Sequence, residues 1–479
     1  MTQNRYETLI IGAGFGGLGM AHDLKKAGKH DFLILEKAAE LGGTWRDNSY
    51  PGAECDVNST LYSYSYAQKS DWDYKWSKQP QILQYMKDFA ADNKLNSHMQ
   101  FHTKVQEASF NAADGLWTVK TNQGELICRF LVSAVGQLHY PKTPSFPGKD
   151  DFQGATFHSA QWNHDVDLSG KRVAVIGSAA SAVQLIPEVA KSVKKLSIFQ
   201  RSPNWIVNKG DKVYSGFDKW IARTFPFTRK LNRAFYAAFG EYILYPAIKG
   251  SNWASLLLKT KALSDMKKHI KDTELLKTLT PDFPVGAKRI LFTDHFYPAL
   301  ARENVELINS GIKKITADGI LSVDGRFTET DVIIYATGFH SNPFLMGLDI
   351  SGRNGKTLAE HWSNGAFAYK GVTTSGFPNL FFLYGPNTNT GHTSIIFKLE
   401  CQIKYILQLM GATHTQQVEV KPDVENAFNE DMQDRLSNLT WAKVEASWYK
   451  DGDKLTNNWP GTAREFQRRL KTVDWGDFI

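Results

Sequence analysis

The chain has 479 residues, of which 42% are hydrophobic and 22% are charged, a composition typical of a soluble globular protein with about three domains. This composition excludes a disordered tail and a fibrous repeat. The three cysteines supply no disulfide framework, which excludes a small disulfide-stabilised protein. The formal net charge is +7.

The positive charge is concentrated in one segment. Residues 211–280 contain 13 Lys and Arg against 6 Asp and Glu, so the rest of the chain is neutral overall. We interpret this segment as a solvated helical insert, with a partner-binding surface as the alternative. No nucleic-acid-binding motif accompanies the basic residues.

The sequence carries no pattern typical of secretion or membrane insertion. The longest apolar runs, such as 236–248, stop near 13 residues, whereas a transmembrane helix needs about 20. The polar start leads directly into a strand without a signal-peptide pattern. Together with the sparse cysteines, this predicts a reducing, cytoplasmic location.

The first forty residues predict a strand, a glycine-rich turn, a helix and a second strand. The apolar run 8–11 precedes the turn at 12–17, a helical stretch extends to residue 28, and a second apolar run occupies 31–35. This βαβ context makes the glycine pattern a strong indication of a dinucleotide site.

Each residue of this pattern has a physical task. Gly12 allows a tight turn, Gly14 lets the backbone approach a pyrophosphate, and Gly17 lets helix and strand pack closely. The N–H groups at the helix start attract that pyrophosphate. Glu36 follows Gly12 by 24 residues and is placed to accept hydrogen bonds from a ribose diol, so this site fits FAD.

A second copy of the pattern predicts an NADPH site. The strand 172–176 precedes a turn and a helix at 183–191, and the strand 195–199 is followed by Arg201. Arg201 lies at the offset of Glu36, and an arginine suits a 2′-phosphate. Ala179 replaces a glycine near the phosphates, where a methyl group is a small obstacle. The turn comprises Gly177, Ser178, Ala179, Ala180, Ser181 and Ala182.

The spacing of the two turns predicts an α/β fold with two nested Rossmann-like dinucleotide-binding domains and a helical insert. Residues 1–140 and 341–479 form the two parts of the FAD-binding domain, the second including a C-terminal segment. Residues 141–210 and 281–340 form the two parts of the NADP-binding domain. Residues 211–280 are the helical insert.

Further motifs follow the same order along nearly the whole chain and resemble those of the type I Baeyer–Villiger monooxygenases, within the class B flavin-containing monooxygenases. Residues 152–162 match the family fingerprint, although Asn163 stands where Pro or Asp is usual. The remaining matches are Gly42-Gly43-Thr44-Trp45, Tyr50-Pro51-Gly52 to Asp56, Lys288-Arg289, Ala336-Thr337-Gly338-Phe339 and Ser447-Trp448-Tyr449.

The resemblance implies an enzyme that consumes NADPH and inserts one oxygen atom of dioxygen next to a ketone carbonyl. The product is an ester or lactone, formed through a C4a-peroxyflavin. By the same resemblance, Arg289 is the fixed cation beside the flavin and Asp56 is the carboxylate that orients it. A guanidinium, which is always charged, can stabilise both a peroxide and a developing oxyanion.

The resemblance also implies the other cofactor contacts. Lys288 and Arg201 hold the 2′-phosphate with help from Ser202, and Trp448 packs on the nicotinamide nucleotide. His158 and Trp162 are conformational couplers between the domains. The positions that match flavin contacts are Thr44, Trp45, Asp56, Tyr62 and Val105.

Two other functions remain open. One is a class B monooxygenase that oxygenates nitrogen or sulfur in small substrates, which the Asn163 mismatch allows. The other is a reductase or redox-regulated binding protein, although the absence of a CxxC pair argues against disulfide reduction. We expect the insert to cap the cofactor cleft through Phe235, Phe239 and Trp253, with weak contact to an anionic membrane as the alternative.

Overall fold

The computed structural model describes residues 4–341, 344–412, 417–444 and 447–479. The strands are β1 (Arg5–Ile11), β2 (Phe32–Leu35), β3 (Met99–Gln100), β4 (Val105–Asn111), β5 (Leu116–Thr121), β6 (Gly124–Ser133), β7 (Ala155–His158), β8 (Arg172–Ile176), β9 (Lys195–Phe199), β10 (Ile206–Val207), β11 (Leu291–Phe292), β12 (Val305–Ile308), β13 (Ile312–Thr316), β14 (Gly319–Ser322), β15 (Phe327–Glu329), β16 (Val332–Tyr335), β17 (Asp349–Ser351), β18 (Leu380–Phe382), β19 (Lys450–Asp451) and β20 (Lys454–Leu455).

The helices are α1 (Phe15–Lys26), α2 (Thr44–Asp47), α3 (Gln79–Asp92), α4 (Ala180–Val189), α5 (Gly216–Thr224), α6 (Pro226–Phe239), α7 (Tyr245–Ile248), α8 (Asn252–His269), α9 (Thr273–Leu279), α10 (Phe296–Leu300), α11 (Leu358–His361), α12 (Ile395–Met410), α13 (Pro422–Ser437) and α14 (Ala463–Arg469). A π-helical turn, Gly240–Leu244, joins α6 to α7. Within the described ranges, no helix has the length and apolar character needed to cross a bilayer.

The larger sheet has the strand order β17-β4-β5-β6-β1-β2-β3, and β18 also pairs with β6. Strands β1, β2, β6 and β18 run parallel, while β4, β5 and β6 form an antiparallel meander. Because β18 comes from a distant part of the chain, the late segment returns to the sheet that the first segment builds. The carboxyl ends of its parallel strands are where ligands bind in folds of this class.

The second sheet has the order β12-β9-β8-β16-β7, and all its neighbouring strands are parallel. Its strands lie between β6 and β17 in the sequence, so this sheet is inserted into the chain of the first. Strands buried on both faces are expected to read as continuous apolar runs. Residues 332–335 and 173–176 have this character.

The insert leaves and re-enters the second domain at one place, because β10 and β11 pair in parallel on either side of it. The buried residues of helix α8 are Ala254, Leu258, Ala262 and Met266. They are spaced four apart and therefore form one buried face of the helix. Phe235 and Trp253 are 63% and 56% exposed. The expectation that these two side chains line the cofactor cleft is therefore wrong, because the inner faces of their helices carry other residues.

Candidate active site

The first turn is shaped to receive a phosphate group. The N–H of Gly12 donates to the carbonyl of Leu35 at 2.8 Å, and Gly12 has a φ of +105°. A Cβ on Gly17 would collide with the carbonyl oxygen of Gly12, whereas a Cβ on Gly14 would meet nothing within 4 Å. Helix α1 begins without a side-chain cap, so its first N–H groups are available to an anion. These features fit the pyrophosphate of FAD.

Glu36 lies beside this turn and is 4% exposed. Its Oε2 accepts the N–H of Ala13 at 2.9 Å, and its Oε1 accepts the N–H of Ala38 at 3.0 Å. Oε1 also pairs with Arg46 at 3.2 Å. A carboxylate offers about two acceptor positions on each oxygen, so Oε2 retains one for a ribose hydroxyl.

Glu36→Gln is expected to weaken FAD binding about tenfold, since hydrogen bonds to a charged group contribute about 1.5–3 kcal/mol each. The amide keeps the size of the side chain but turns a donor toward the N–H of Ala13 or Ala38. Titration of flavin-free protein with FAD, followed by flavin fluorescence, measures the change. Glu40→Gln, on a surface side chain, is the control. An unchanged FAD affinity would contradict the assignment.

The second turn has the same backbone geometry as the first but different side chains around it. The N–H of Gly177 donates to the carbonyl of Phe199 at 3.0 Å, and Gly177 has a φ of +116°. The exposed Ala179 precedes α4, whose first turn is formed by residues 180–182 and has no side-chain cap. The Oγ of Ser178 donates to the carbonyl of Ser202 at 3.3 Å, which joins the turn to the segment after β9.

Two cations lie together at the end of β9. The Nζ of Lys288 donates to the Oγ of Ser202 at 3.4 Å. Burial lowers the pKa of Lys288, and the nearby positive charge of Arg201 lowers it further. Among the described residues, no carboxylate forms an ion pair with either cation, although the charge of Asp282 partly offsets the lowering of the Lys288 pKa. Two cations and a hydroxyl without an ion-paired carboxylate suit a phosphate dianion.

Arg289 and Asp56 form a forked ion pair between the two domains. The Nε of Arg289 donates to Oδ2 of Asp56 at 2.8 Å, and Nη2 donates to Oδ1 at 2.8 Å. The negative charge of Asp56 raises the pKa of Arg289. The arginine side chain is 30% exposed. Within the described part of the chain, its Nη1 has no hydrogen-bond acceptor, so two N–H donors are available to a ligand.

Two tyrosines that the sequence motifs did not assign to the site also surround this arginine. Tyr384 follows β18 with a φ of +61° and donates to Oδ1 of Asn389 at 2.7 Å. Burial raises the pKa of Tyr449 to about 12, and it raises that of Tyr384 as well. Both phenols are therefore neutral, and Asp56 is the charge that balances Arg289. The position of Tyr384 at the end of a parallel strand is a signal that could have identified it.

Some of the other predicted flavin contacts lie beside the first turn, and one lies in the core of the larger sheet. Trp45 Nε1 donates to the hydroxyl of Tyr62 at 3.1 Å. Thr44 begins α2 directly after Gly43, where an added Cβ would lie 3.4 Å from the Cα of Gly14. These residues therefore lie by the first turn. Val105 is buried in the core of the larger sheet.

The loop that carries Trp448 lies beside the arginine. The ring of Trp448 lies 4.6 Å from the ring of Tyr449, which is near enough to Arg289 for the positive charge of the arginine to oppose the effect of burial on the pKa of the phenol. The carbonyl of Trp448 accepts from Ser341 Oγ and from Asn457 Nδ2, each at 2.8 Å. Trp448 is half-buried, so part of its ring remains available to a ligand.

Comparison with known proteins identifies the family. Residues 9–225 match a family described as pyridine nucleotide-disulphide oxidoreductase. A Baeyer-Villiger monooxygenase from Streptomyces coelicolor is 38% identical, covering 98% of this chain and 91% of its own. One from Pseudomonas aeruginosa is 40% identical, covering 97% and 89%. The chain belongs to the Baeyer–Villiger monooxygenase family.

A solved relative agrees with this family assignment. The crystal structure of OTEMO in complex with FAD and NADP has 28% identity, a TM-score of 0.89 and 99% coverage of both chains. The family and the α/β fold class with two dinucleotide-binding domains, both expected from the motifs, are thereby confirmed. The expected cofactors, FAD and NADP, are the ones bound in that relative.

The fingerprint motif of this Baeyer–Villiger monooxygenase spans the second sheet and its neighbouring loop. Strand β7 pairs with β16, so His158 lies opposite Tyr335, and the ring of His158 is 5.8 Å from that of Phe339. Its Nδ1 accepts the N–H of Ala160 at 3.1 Å, and burial lowers its pKa. Trp162 packs against Phe157 at 5.0 Å. The neutral histidine thus joins the fingerprint to the segment after β16.

A buried polar cluster, which the sequence analysis missed, joins the two domains next to Asp56. We call it the Glu54 cluster, and it comprises Tyr50, Glu54, Lys78, Gln184 and Lys209. Both lysines form ion pairs with the Glu54 carboxylate. Gln184 Nε2 donates to the carbonyl of Glu54 at 3.0 Å and its Oε1 accepts from the Tyr50 hydroxyl at 2.8 Å. The cluster fixes the loop that holds Asp56 against α4.

Proposed function

We propose that this Baeyer–Villiger monooxygenase converts a ketone into an ester or lactone with FAD, NADPH and dioxygen. One oxygen atom enters the product and the other leaves as water, while NADPH supplies two electrons. The observation that carries the proposal is the Arg289 guanidinium, which Asp56 holds through Nε and Nη2 while Nη1 has no acceptor among the described residues.

Bound FAD would take electrons from NADPH and supply the reactivity toward dioxygen. Arg289 has the task of stabilising negative charge on the oxygen that attacks the carbonyl and on the carbonyl oxygen itself. A preorganised cation in a partly buried cleft performs this task well, because water does not screen it. Arg289 keeps its charge at all working pH values, since its pKa is raised by Asp56.

Asp56 acts as a positioning residue. Its two oxygens hold the guanidinium plane through Nε and Nη2, which directs Nη1 away from the carboxylate. The Glu54 cluster in turn holds the loop that carries Asp56, through bonds to α4 and to Lys209. The orientation of the cation therefore depends on contacts between the two domains.

Each of the two glycine-rich turns would form part of one cofactor-binding site. The turn at residues 12–17 and Glu36 would hold FAD, and the turn at 177–182 with Arg201, Ser202 and Lys288 would hold NADPH. Trp45, Tyr62 and Thr44 lie where they could contact the flavin, and Trp448 lies where it could contact the nicotinamide nucleotide. The uncapped starts of α1 and α4 support both phosphate assignments.

The test is product analysis with linear, cyclic and aryl ketones and one sulfide, in the presence of NADPH and air. We expect esters or lactones, with one oxygen atom from labelled dioxygen. Sulfoxide without any ester would instead support the alternative of a nitrogen- or sulfur-oxygenating enzyme. NADPH oxidation with hydrogen peroxide as its sole product would contradict both.

A further inference from the structure

Helix α6 carries two arginines on its inner face and large exposed apolar side chains on its outer face. Its inner face carries Arg229 and Arg233, whose Nη1 atoms donate to main-chain carbonyls in the loop at residues 60–68. Its outer face carries Phe227, Leu231 and Phe235, which are 58%, 63% and 63% exposed. A surface helix normally directs its apolar stripe toward the core and its charges toward water. This outer face therefore needs an apolar partner.

The exposed apolar surface continues along α5. The ring of Phe217 is stacked on that of Trp220 at 5.7 Å, Trp220 lies 5.9 Å from Phe225, and Phe225 lies 6.2 Å from Phe227. All four side chains are at least 42% exposed. We call the outer faces of α5 and α6 the aromatic surface. Such a contiguous patch marks an interaction site.

Helix α8, later in the same segment, also exposes apolar side chains. Trp253, Leu256 and Leu257 are 56%, 64% and 51% exposed near its start, opposite the buried stripe of the helix. Of the 17 large hydrophobic side chains exposed in the described residues, 11 lie between positions 211 and 280. The apolar exposure and the positive charge thus belong to one segment.

The basic residues of this segment are available to an anionic partner. Lys230 lies on the outer face of α6, and Lys267 and Lys268 lie on the exposed side of α8. Among the described residues, none of these three forms an ion pair with a carboxylate, whereas Lys212 and Lys219 do. Aromatic and aliphatic side chains interleaved with lysine are typical of helices that lie in a membrane interface.

We infer that the aromatic surface docks this enzyme on an anionic lipid membrane, with the helices lying in the interface. Apolar side chains enter the boundary between headgroups and acyl chains, and the lysines contact the headgroups. A second copy of the chain fits less well. A symmetric dimer would bring the same surface of both copies together, and each copy carries a net +7 in residues 211–280.

Sedimentation of the holoenzyme with lipid vesicles tests this inference. We use phosphatidylcholine vesicles alone and vesicles with about one third phosphatidylserine, at low and physiological salt. We expect binding to the anionic vesicles, weakened by salt because exposed charges are screened. The variant F227S/L231S/F235S should reduce the partition coefficient about tenfold or more, since three apolar side chains no longer enter the interface.

Two further variants separate apolar from electrostatic binding. K267E/K268E should reduce binding to anionic vesicles and leave the residual binding to neutral vesicles unchanged. V323S/F327S removes exposed apolar side chains elsewhere on the molecule and should bind as the unaltered protein does. NADPH oxidation in lipid-free buffer confirms that each variant is folded, because none of these residues lies in the cofactor sites.

The inference is overturned if the unaltered protein does not sediment with anionic vesicles at either salt concentration. It is also overturned if F227S/L231S/F235S binds as tightly as the control. Self-association without lipid that the triple variant abolishes, together with a lack of vesicle binding, would assign the aromatic surface to a contact between copies.

Discussion

Arg289→Ala is expected to lower ester formation about 10²–10³-fold, the usual loss when a preorganised charge stabiliser is removed. NADPH and dioxygen should still be consumed, with hydrogen peroxide as the product. The reason is that Nη1 of the guanidinium is not engaged by Asp56, so in the proposed reaction it would balance negative charge on the reacting oxygen. Parallel assays of NADPH, ester and hydrogen peroxide measure this change of product.

Arg289→Lys and Asp56→Ala are the matched comparisons. Lysine keeps the charge but has no fork to engage both oxygens of Asp56, so we expect intermediate ester formation. Asp56→Ala should be milder than Arg289→Ala, because the cation remains but its orientation is lost. Near-normal ester formation by Arg289→Ala would show that the catalytic cation lies elsewhere and that the assignment of Arg289 is wrong.

Arg201→Ala is expected to weaken NADPH binding roughly ten- to a hundredfold and to leave NADH binding nearly unchanged. One charge-assisted hydrogen bond contributes about 1.5–3 kcal/mol, and only NADPH carries the 2′-phosphate. Lys288→Ala should act in the same direction, because Lys288 donates to Ser202 and lies near enough to Arg201 for that charge to lower its pKa.

Rapid-mixing measurements of flavin reduction by each nucleotide give the two affinities separately. Arg302→Ala removes an exposed arginine in the same domain and serves as the control for net charge. An equal loss for NADPH and NADH would mean that Arg201 supports the fold of the site instead of the phosphate.

The sequence predicted the two dinucleotide sites because their chemistry depends on local geometry. Gly12 and Gly17 lie in the same short glycine-rich turn, and no side chain fits where Gly17 contacts the carbonyl oxygen of Gly12. The place of Glu36 depends on the same βαβ unit, because β2 pairs in parallel with β1 and ends beside the glycine turn. A short segment thus determines both the shape of the turn and the charge beside it.

The pairing of Arg289 with Asp56 could be proposed from the sequence only through resemblance to a family. These residues are more than two hundred positions apart, and neither belongs to a local motif that requires the other. The structure joins them by a fork of two 2.8 Å hydrogen bonds. No rule of spacing specifies such a contact between two domains.

The sequence by itself predicted the family, the α/β class, a site for FAD and one for NADPH, and the positions of the glycine turns. Tertiary structure alone decided that Tyr384 and Tyr449 surround Arg289, that the Glu54 cluster joins the domains, and that α6 directs Phe227, Leu231 and Phe235 outward. The physical reason is that turns and strands follow from interactions between near neighbours. The faces that helices bury, and the distant groups that meet in a cleft, depend on how whole elements pack.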